Sequence, residues 1–219
     1  MAGIFYFFPS RHSSNEKAVN RYTFSVKKSP ALFLDRDGTL IEEVPYLSSP
    51  SKTQVLSGVP EGLAILQKAG FLLFVVSNQS GIARGLLDEG RLLQIQAEID
   101  RQLGKAGACI DAYYHCPHHP AVGIPPQRRR CNCRKPQPGL LDQAASDFNV
   151  DWTRSAGIGD DLRDLQAFAA RDIPAILVGT GKGRRTRQKL AESKMEPALF
   201  VGHLPESVPW LRRLLSKES

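Results

Sequence analysis

Apolar and polar positions along the chain follow two periods in turn, and the switches between them mark out strands and helices. ALFLD (31–35) is a short apolar run ending in charge, and FLLFVVSN (71–78) is a longer one. Unbroken apolar runs of this length suit strands buried on both faces. Between them, PEGLAILQKAG (60–70) predicts a helix with Leu63, Ile65 and Leu66 on its buried face and Gly70 as its stop. Further on, Leu92, Ile95, Ile99 and Leu103 recur at offsets of three and four, an amphipathic helix ending near Gly104 or Gly107. DAYYHC (111–116) predicts a strand, and PGLLDQAASDFN (138–149) a helix with Pro138 near its start. SAGIGDD (155–161) reads as a short strand running into a loop, LRDLQAFAARD as a helix, IPAILVG (173–179) as a strand and VPWLRRLL as a last helix. Strands alternating with helices imply an α/β fold, Rossmann-like, with a mostly parallel sheet covered by helices on both faces.

The length of 219 residues is enough for one domain with a full core. Residues 1–30, basic and aperiodic after the first eight positions, are expected as an N-terminal extension, and 31–219 as a single domain. No window is apolar for long enough to cross a bilayer. The short apolar start, MAGIFYFFPSRHSS, lacks the preceding basic residues of a signal peptide, so a cytoplasmic protein is expected. The net charge of +7 sits in the leader, in Arg128, Arg129 and Arg130, and in GKGRRTRQK (181–189). No aromatic residues interleave with the last two groups and no nucleic-acid module is present, so nucleic acid is not the expected partner. Both basic stretches read as solvated surface, with the arginine run able also to draw in a phosphorylated small molecule. Nothing advertises an assembly surface, and a monomer is expected.

In open parallel sheets, chemistry collects where strands deliver their carboxyl ends into loops. Those ends here are Asp35-Arg36-Asp37-Gly38-Thr39, Ser77-Asn78-Gln79 and Gly159-Asp160-Asp161. Each alone is an ordinary turn or helix cap. Together they set carboxylates against a hydroxyl and an amide, an inventory that suits metal-assisted phosphoryl transfer. Asp35 can attack phosphorus, because a carboxylate can carry a covalent intermediate. Asp35 and Asp160 are candidate oxygen ligands for Mg²⁺. Asp37 can protonate the leaving oxygen and later activate water, Gly38 permits the tight turn, and Ser77 and Asn78 can hold phosphoryl oxygens. Lys135 is the candidate cation opposite the charge that builds on those oxygens.

Three of the four cysteines fall within residues 116–133, in a Cys-x-His…Cys-x-Cys arrangement. Cys116, Cys131 and Cys133 with His118 or His119 give four ligands and no vacant position, the pattern of a structural zinc site. His115 is expected outside it. The intervening AVGIPPQRRR has few core-forming residues, so a metal would staple a loop that packing cannot hold. Cys109 lies outside the pattern and is expected as a small buried residue.

The combination FLDRDGTL, SNQSGIARG, CRKP and GIGDDLRDL, with CPHHP ahead of CNCRKP, resembles the haloacid-dehalogenase (HAD) superfamily of aspartyl phosphatases. Within it, the zinc-loop motif joined to CRKP is similar to the D-glycero-D-manno-heptose 1,7-bisphosphate 7-phosphatases and the histidinol-phosphate phosphatases. The resemblance runs from about residue 31 to the end. It implies a HAD-type fold with a minimal cap and a zinc-stapled loop (116–133), and an Mg²⁺-dependent phosphomonoesterase. It implies Asp35 as nucleophile, Asp37 as acid/base that also gives Mg²⁺ its backbone carbonyl, and Asp160 as metal ligand. Ser77 matches the hydroxyl residue, Lys135 the lysine, and Arg134 the arginine that contacts the phosphate not removed. Asn78 lies where relatives position substrate, His118 is favoured over His119 for zinc, and Asp161 and Asp164 are expected to support the site. The substrate implied is a small phosphorylated sugar, heptose 1,7-bisphosphate losing its 7-phosphate on the way to lipopolysaccharide core precursors. Histidinol phosphate is the alternative substrate. A non-catalytic zinc-bearing interaction module, suggested by the basic charge, is the alternative of another class. The leader of about thirty residues departs from the family, which begins close to the first strand.

Overall fold

A computed structural model describes residues 28–193 and 195–216, so the leader up to residue 27 lies outside the described residues. Six strands form one sheet: β1 (Ser29–Leu34), β2 (Leu72–Asn78), β3 (Ala112–Cys116), β4 (Val150–Gly159), β5 (Ala175–Val178) and β6 (Leu199–Val201). Their order is β3-β2-β1-β4-β5-β6, and every ladder among the described residues is parallel rather than mostly so. The helices are α1 (Val59–Lys68), α2 (Ser80–Ala83), α3 (Glu89–Leu103), α4 (Gly139–Asp147), α5 (Leu162–Ala169), α6 (Gly183–Ser193) and α7 (Val208–Leu215).

Strand alternation divides the core in two. Leu32 and Leu34 of β1 face one side, where Leu63 and Leu66 of α1, Leu92, Ile95, Ile99 and Leu103 of α3, and Leu211 of α7 cover them. Ala31 and Phe33 face the other, under Leu140, Leu141 and Ala144 of α4 and Phe168 of α5. Both faces are therefore apolar, as the uninterrupted runs required. At Gly157 of β4 an added Cβ would sit 2.3 Å from the Phe168 ring, so the sheet needs glycine there for α5 to close down.

Four expectations are corrected. Ile65 is 45% exposed; the face of α1 runs through Val59, Leu63 and Leu66, and Ile65 falls to its side. Cys109 is exposed, in the loop ahead of β3 where the Gln67 amide holds its backbone. β4 is long rather than short, because its polar first half, from Val150, pairs with the start of β1 before the register shifts. Across that shift the Ser155 hydroxyl accepts from Ala31 N at 2.9 Å, replacing the interrupted ladder. β1 itself begins two residues before the ALFLD run, at Ser29.

β1 and β4 are adjacent in the sheet, yet β1 connects onward to β2 on one side and β4 to β5 on the other. The crevice at their carboxyl ends is the topological switch point, where ligands of open parallel sheets bind.

Candidate active site

The switch point is lined with charge. β1 delivers Asp35 directly after Leu34, and Asp35 N still donates to Ile158 O of β4 at 2.9 Å. β4 delivers Asp160 one residue past its end. Lys135 arrives from the loop before α4. Its Nζ lies 2.6 Å from Asp35 Oδ1 and 2.8 Å from Asp164 Oδ1, and it donates to Val76 O at 2.6 Å. Lys135, Asp160 and Asp164 are each 2% exposed and Asp35 is 8% exposed.

Burial works against the Lys135 charge, but the carboxylates of Asp164 and Asp35 outweigh it and raise the ammonium above its ordinary range. Burial pushes Asp35 up to about 7, with Lys135 opposing and the charges of Asp164 and Asp37 adding to it. Burial likewise pushes Asp160 up to about 8, reinforced by Asp35. Three buried carboxylates thus face one ammonium, and further positive charge is wanted. Asp35, Asp160 and Asp164 each offer an oxygen, all within 4.8 Å of one another, a donor set that fits a hard cation such as Mg²⁺. Both Asp164 oxygens have partners, Oδ1 in Lys135 Nζ and Oδ2 in Asp161 N at 3.0 Å. The Asp161 carboxylate in turn caps α5 and pairs with Arg163 at 2.9 Å.

Asp37 points into the same crevice beside Arg36, whose guanidinium reaches Asp37 Oδ1 at 2.8 Å and Oδ2 from Nε at 3.2 Å. Gln79 Nε2 donates to Asp37 Oδ2 at 3.1 Å and to Ser77 Oγ at 2.5 Å, tying the two together. Gly38 has φ +79°, and a Cβ there would lie 2.3 Å from Asp160 Oδ2, so only glycine lets the β1 loop pass the acidic cluster. Asn78 lies beside the site, but its amide is engaged with the main chain of Lys135, donating to its carbonyl and accepting from its N–H, both at 3.0 Å.

Cys116, the last residue of β3, meets Cys131, Cys133 and His118 in one cluster. Sulfur–sulfur separations are 3.3 to 3.6 Å, and His118 Nδ1 lies 3.3 Å from Cys133 Sγ. A tetrahedral centre with bonds of about 2.3 Å wants ligand atoms roughly 3.7 Å apart, so three sulfurs and one nitrogen fit Zn²⁺. His119 is turned away, its Nδ1 accepting from Ala121 N and Val122 N at 3.1 Å. His115 lies beside Glu89, at 2.9 Å. Between the cluster and Lys135 stands Arg134, held by a bond from its guanidinium to His118 O at 3.0 Å.

A cleft of about 310 Å³ opens beside the crevice, lined by Asp37, Asn78, Tyr46, Arg134, Arg163 and Lys182 among others. Lys182 and Arg163 also border the acidic cluster itself. Lys182 N donates to Asp160 Oδ2 at 2.7 Å, and its Nζ pairs with Glu43 across the cleft. The basic stretch 181–189, read as solvated surface, therefore includes one residue, Lys182, that sits where the β5 loop meets the site. The arginine run at 128–130 is exposed, as expected. Asp164 was expected in support of the site and pairs with Lys135, whereas Gln79, Arg36, Arg163 and Lys182 were given no site role from the sequence. Those four carry no spacing signal.

Residues 132–207 match the HAD-hydrolase-like family. The chain is 39% identical over 185 residues to D-glycero-beta-D-manno-heptose-1,7-bisphosphate 7-phosphatase of Photorhabdus laumondii, covering 84% of this chain and 97% of that one. It is 40% identical over 157 residues to the enzyme of the same name from Escherichia coli K12, covering 71% and 82%. Among solved structures it resembles D,D-heptose 1,7-bisphosphate phosphatase from B. bronchiseptica, complexed with magnesium and phosphate. That match has a TM-score of 0.73 and 34% identity, and covers 84% of this chain and 98% of the other.

Proposed function

The chain belongs to the family of D-glycero-beta-D-manno-heptose-1,7-bisphosphate 7-phosphatases, HAD-like phosphomonoesterases, and from that premise we propose that it removes the 7-phosphate of this sugar through a phosphoryl group carried on Asp35. The observation that carries the reading is the buried ammonium of Lys135, 2.6 Å from Asp35 and 2.8 Å from Asp164, beside Asp160. A nucleophile, a cation and a metal-ligand pair in one crevice are what the reaction asks for.

In the first step an Asp35 oxygen attacks phosphorus, the bond from phosphorus to the sugar oxygen breaks, and Asp37 gives that oxygen its proton. In the second, Asp37 takes a proton from water, which attacks the phosphorus and releases Asp35 and inorganic phosphate. Arg36 and Gln79 hold Asp37 from one side throughout. Lys135 offsets charge on the phosphoryl oxygens, with Ser77 as a hydroxyl donor to them. Mg²⁺, held by Asp35, Asp160 and the backbone carbonyl of Asp37, would supply the additional positive charge that three buried carboxylates and a phosphoryl group need. Zn²⁺, held by Cys116, His118, Cys131 and Cys133, would be structural, because four protein ligands leave no place for substrate. Arg134, in the cleft, would take the phosphate that stays. Asn78 acts on this reading through Lys135, by fixing its backbone.

The test is phosphate release from heptose 1,7-bisphosphate with Mg²⁺, the surviving monophosphate located by ³¹P NMR. Asp35→Asn should lower turnover by more than about 10³-fold while its melting curve still shows a folded protein. Near-normal turnover by that variant, or no release by the unaltered protein, would overturn the reading.

A further inference from the structure

Exposed arginines stand without ion pairs around the mouth of the crevice. Several arginines elsewhere on the surface are neutralised: Arg101 by Glu98, Arg154 by Asp151, Arg171 by Asp142 and Arg187 by Glu196. Among the described residues, Arg84, Arg128, Arg130, Arg184 and Arg185 are exposed and have no such carboxylate. One unpaired surface charge is ordinary. What gives this group a use is where the fold puts it.

Arg134 stands in the cleft and its guanidinium bonds His118 O, while Arg129 lies 2.8 Å from Nε2 of the same histidine. Arg128 and Arg130 flank Arg129, so they border the cleft wall without lining it. The same loop rests on α2, where Gly123 packs against Ala83 with no room for a Cβ, and Arg84 is the next residue. The Arg84 guanidinium lies 5.3 Å from the ring of Tyr46, a cleft residue. A second group follows β5: Lys182 is in the cleft, α6 starts at Gly183, and Arg184 and Arg185 lie in its first turn. Glu43 and Asp161 are taken by Lys182 and Arg163, so neither cancels these charges.

Charges beyond contact range act through the field they create. A phosphate monoester carries about −1.5 to −2 at neutral pH, so a bisphosphate carries about −3 to −4. Each product, the sugar monophosphate and inorganic phosphate, carries about half of that. Coulomb energy is linear in the charge of the ligand, so the same arginines favour substrate over either product.

We infer that Arg84, Arg128, Arg130, Arg184 and Arg185 form an electrostatic collar that determines specificity, drawing in the doubly phosphorylated sugar in preference to its singly phosphorylated product while touching neither. The inference rests on the sugar-phosphatase reading above and adds a reason for substrate to displace product.

The test is the salt dependence of kcat/KM for heptose 1,7-bisphosphate at fixed Mg²⁺. Screening shortens the reach of the field from about 30 Å at 0.01 M salt to about 8 Å at 0.15 M. Arg128→Glu with Arg130→Glu, and Arg184→Glu with Arg185→Glu, reverse the charge of the two groups separately. The first pair adjoins Cys131 of the metal cluster, so the second decides where the two disagree. Acidic residues suit the first turn of α6, and misfolding of the second pair is not the expected consequence. At low salt each double variant should lower kcat/KM about tenfold with kcat unchanged. It should raise the inhibition constant of the heptose monophosphate product only about threefold, the square root that half the charge implies. Both effects should vanish at about 0.5 M salt. Equal effects on substrate and product, no effect at low salt, or a loss that persists at high salt would overturn the inference alone and leave the phosphatase reading standing. No phosphate release by the unaltered protein at any salt would overturn both.

Discussion

A single lysine holds the acidic crevice together. Lys135 is buried with its ammonium on Asp35 and Asp164, and both carboxylates lose their direct cation if it is removed. Breaking a buried ion pair from one side is costly, because the charge left behind has neither water nor partner. Lys135→Met keeps the apolar stem but not the charge. In metal-free buffer it should destabilise the fold by about 3 kcal/mol or more at pH 8. The loss should be smaller at pH 5, where protons can neutralise the abandoned carboxylates. Urea unfolding at the two pH values checks this; an equal loss at both would mean that volume, not charge, is what Lys135 contributes. The same residue scale explains what the sequence disclosed of the site. Asp35, Ser77 and Asp160 follow apolar runs at strand ends, so position alone marks them. Gln79 and Arg36 touch Asp37, and such contacts are not written in residue type.

Among the elements, the loop from β3 to α4 depends least on packing. Ile124 in it is 77% exposed, and Arg128, Arg129 and Arg130 are all exposed. Few apolar contacts support it, and the Cys116, His118, Cys131 and Cys133 cluster gathers its two ends, with Cys133 two residues from Lys135. Zinc removal by a chelator, with Mg²⁺ restored in excess, should cost at least about tenfold in turnover, and added Zn²⁺ should recover it. Zinc-free protein with full activity would show that the loop holds Lys135 unaided. The spacing of the three cysteines was legible because few chemistries place cysteines so, whereas it took the loop's path in space to bring His118 rather than His119 to them. Helix α3 and strand β2 were legible for a different reason, since each repeats its period long enough to be unambiguous. β6 spans three residues and α2 four, too few for any period to show. The polar first half of β4 was hidden because it pairs where the ladder with β1 is irregular and apolar side chains are not required.

For the whole molecule, the parallel sheet makes a crevice at the β1–β4 switch point and then loads it with acid, which sets fold stability against function. Asp35, pushed up to about 7, and Asp160, pushed up to about 8, both hold protons in the folded chain at pH values where the unfolded chain has released them. A carboxyl raised in this way favours folding at low pH, and the advantage is lost as pH climbs from about 4 through its folded value. Metal-free protein should therefore melt at a lower temperature at pH 8 than at pH 5. The shift should reach several degrees, since each kcal/mol moves the midpoint of a domain this size by about 2–4 °C. Mg²⁺ should reverse the trend, stabilising at pH 8 and hardly at all at pH 5, because it competes with the protons for the same oxygens. Asp160→Asn separates the two effects, flattening the pH dependence and weakening the response to Mg²⁺ together. Calorimetry of both proteins at both pH values, with and without Mg²⁺, would decide it. A melting temperature that rises with pH in the metal-free protein would mean that these carboxylates are ionised without cost, and the crevice would no longer call for a metal.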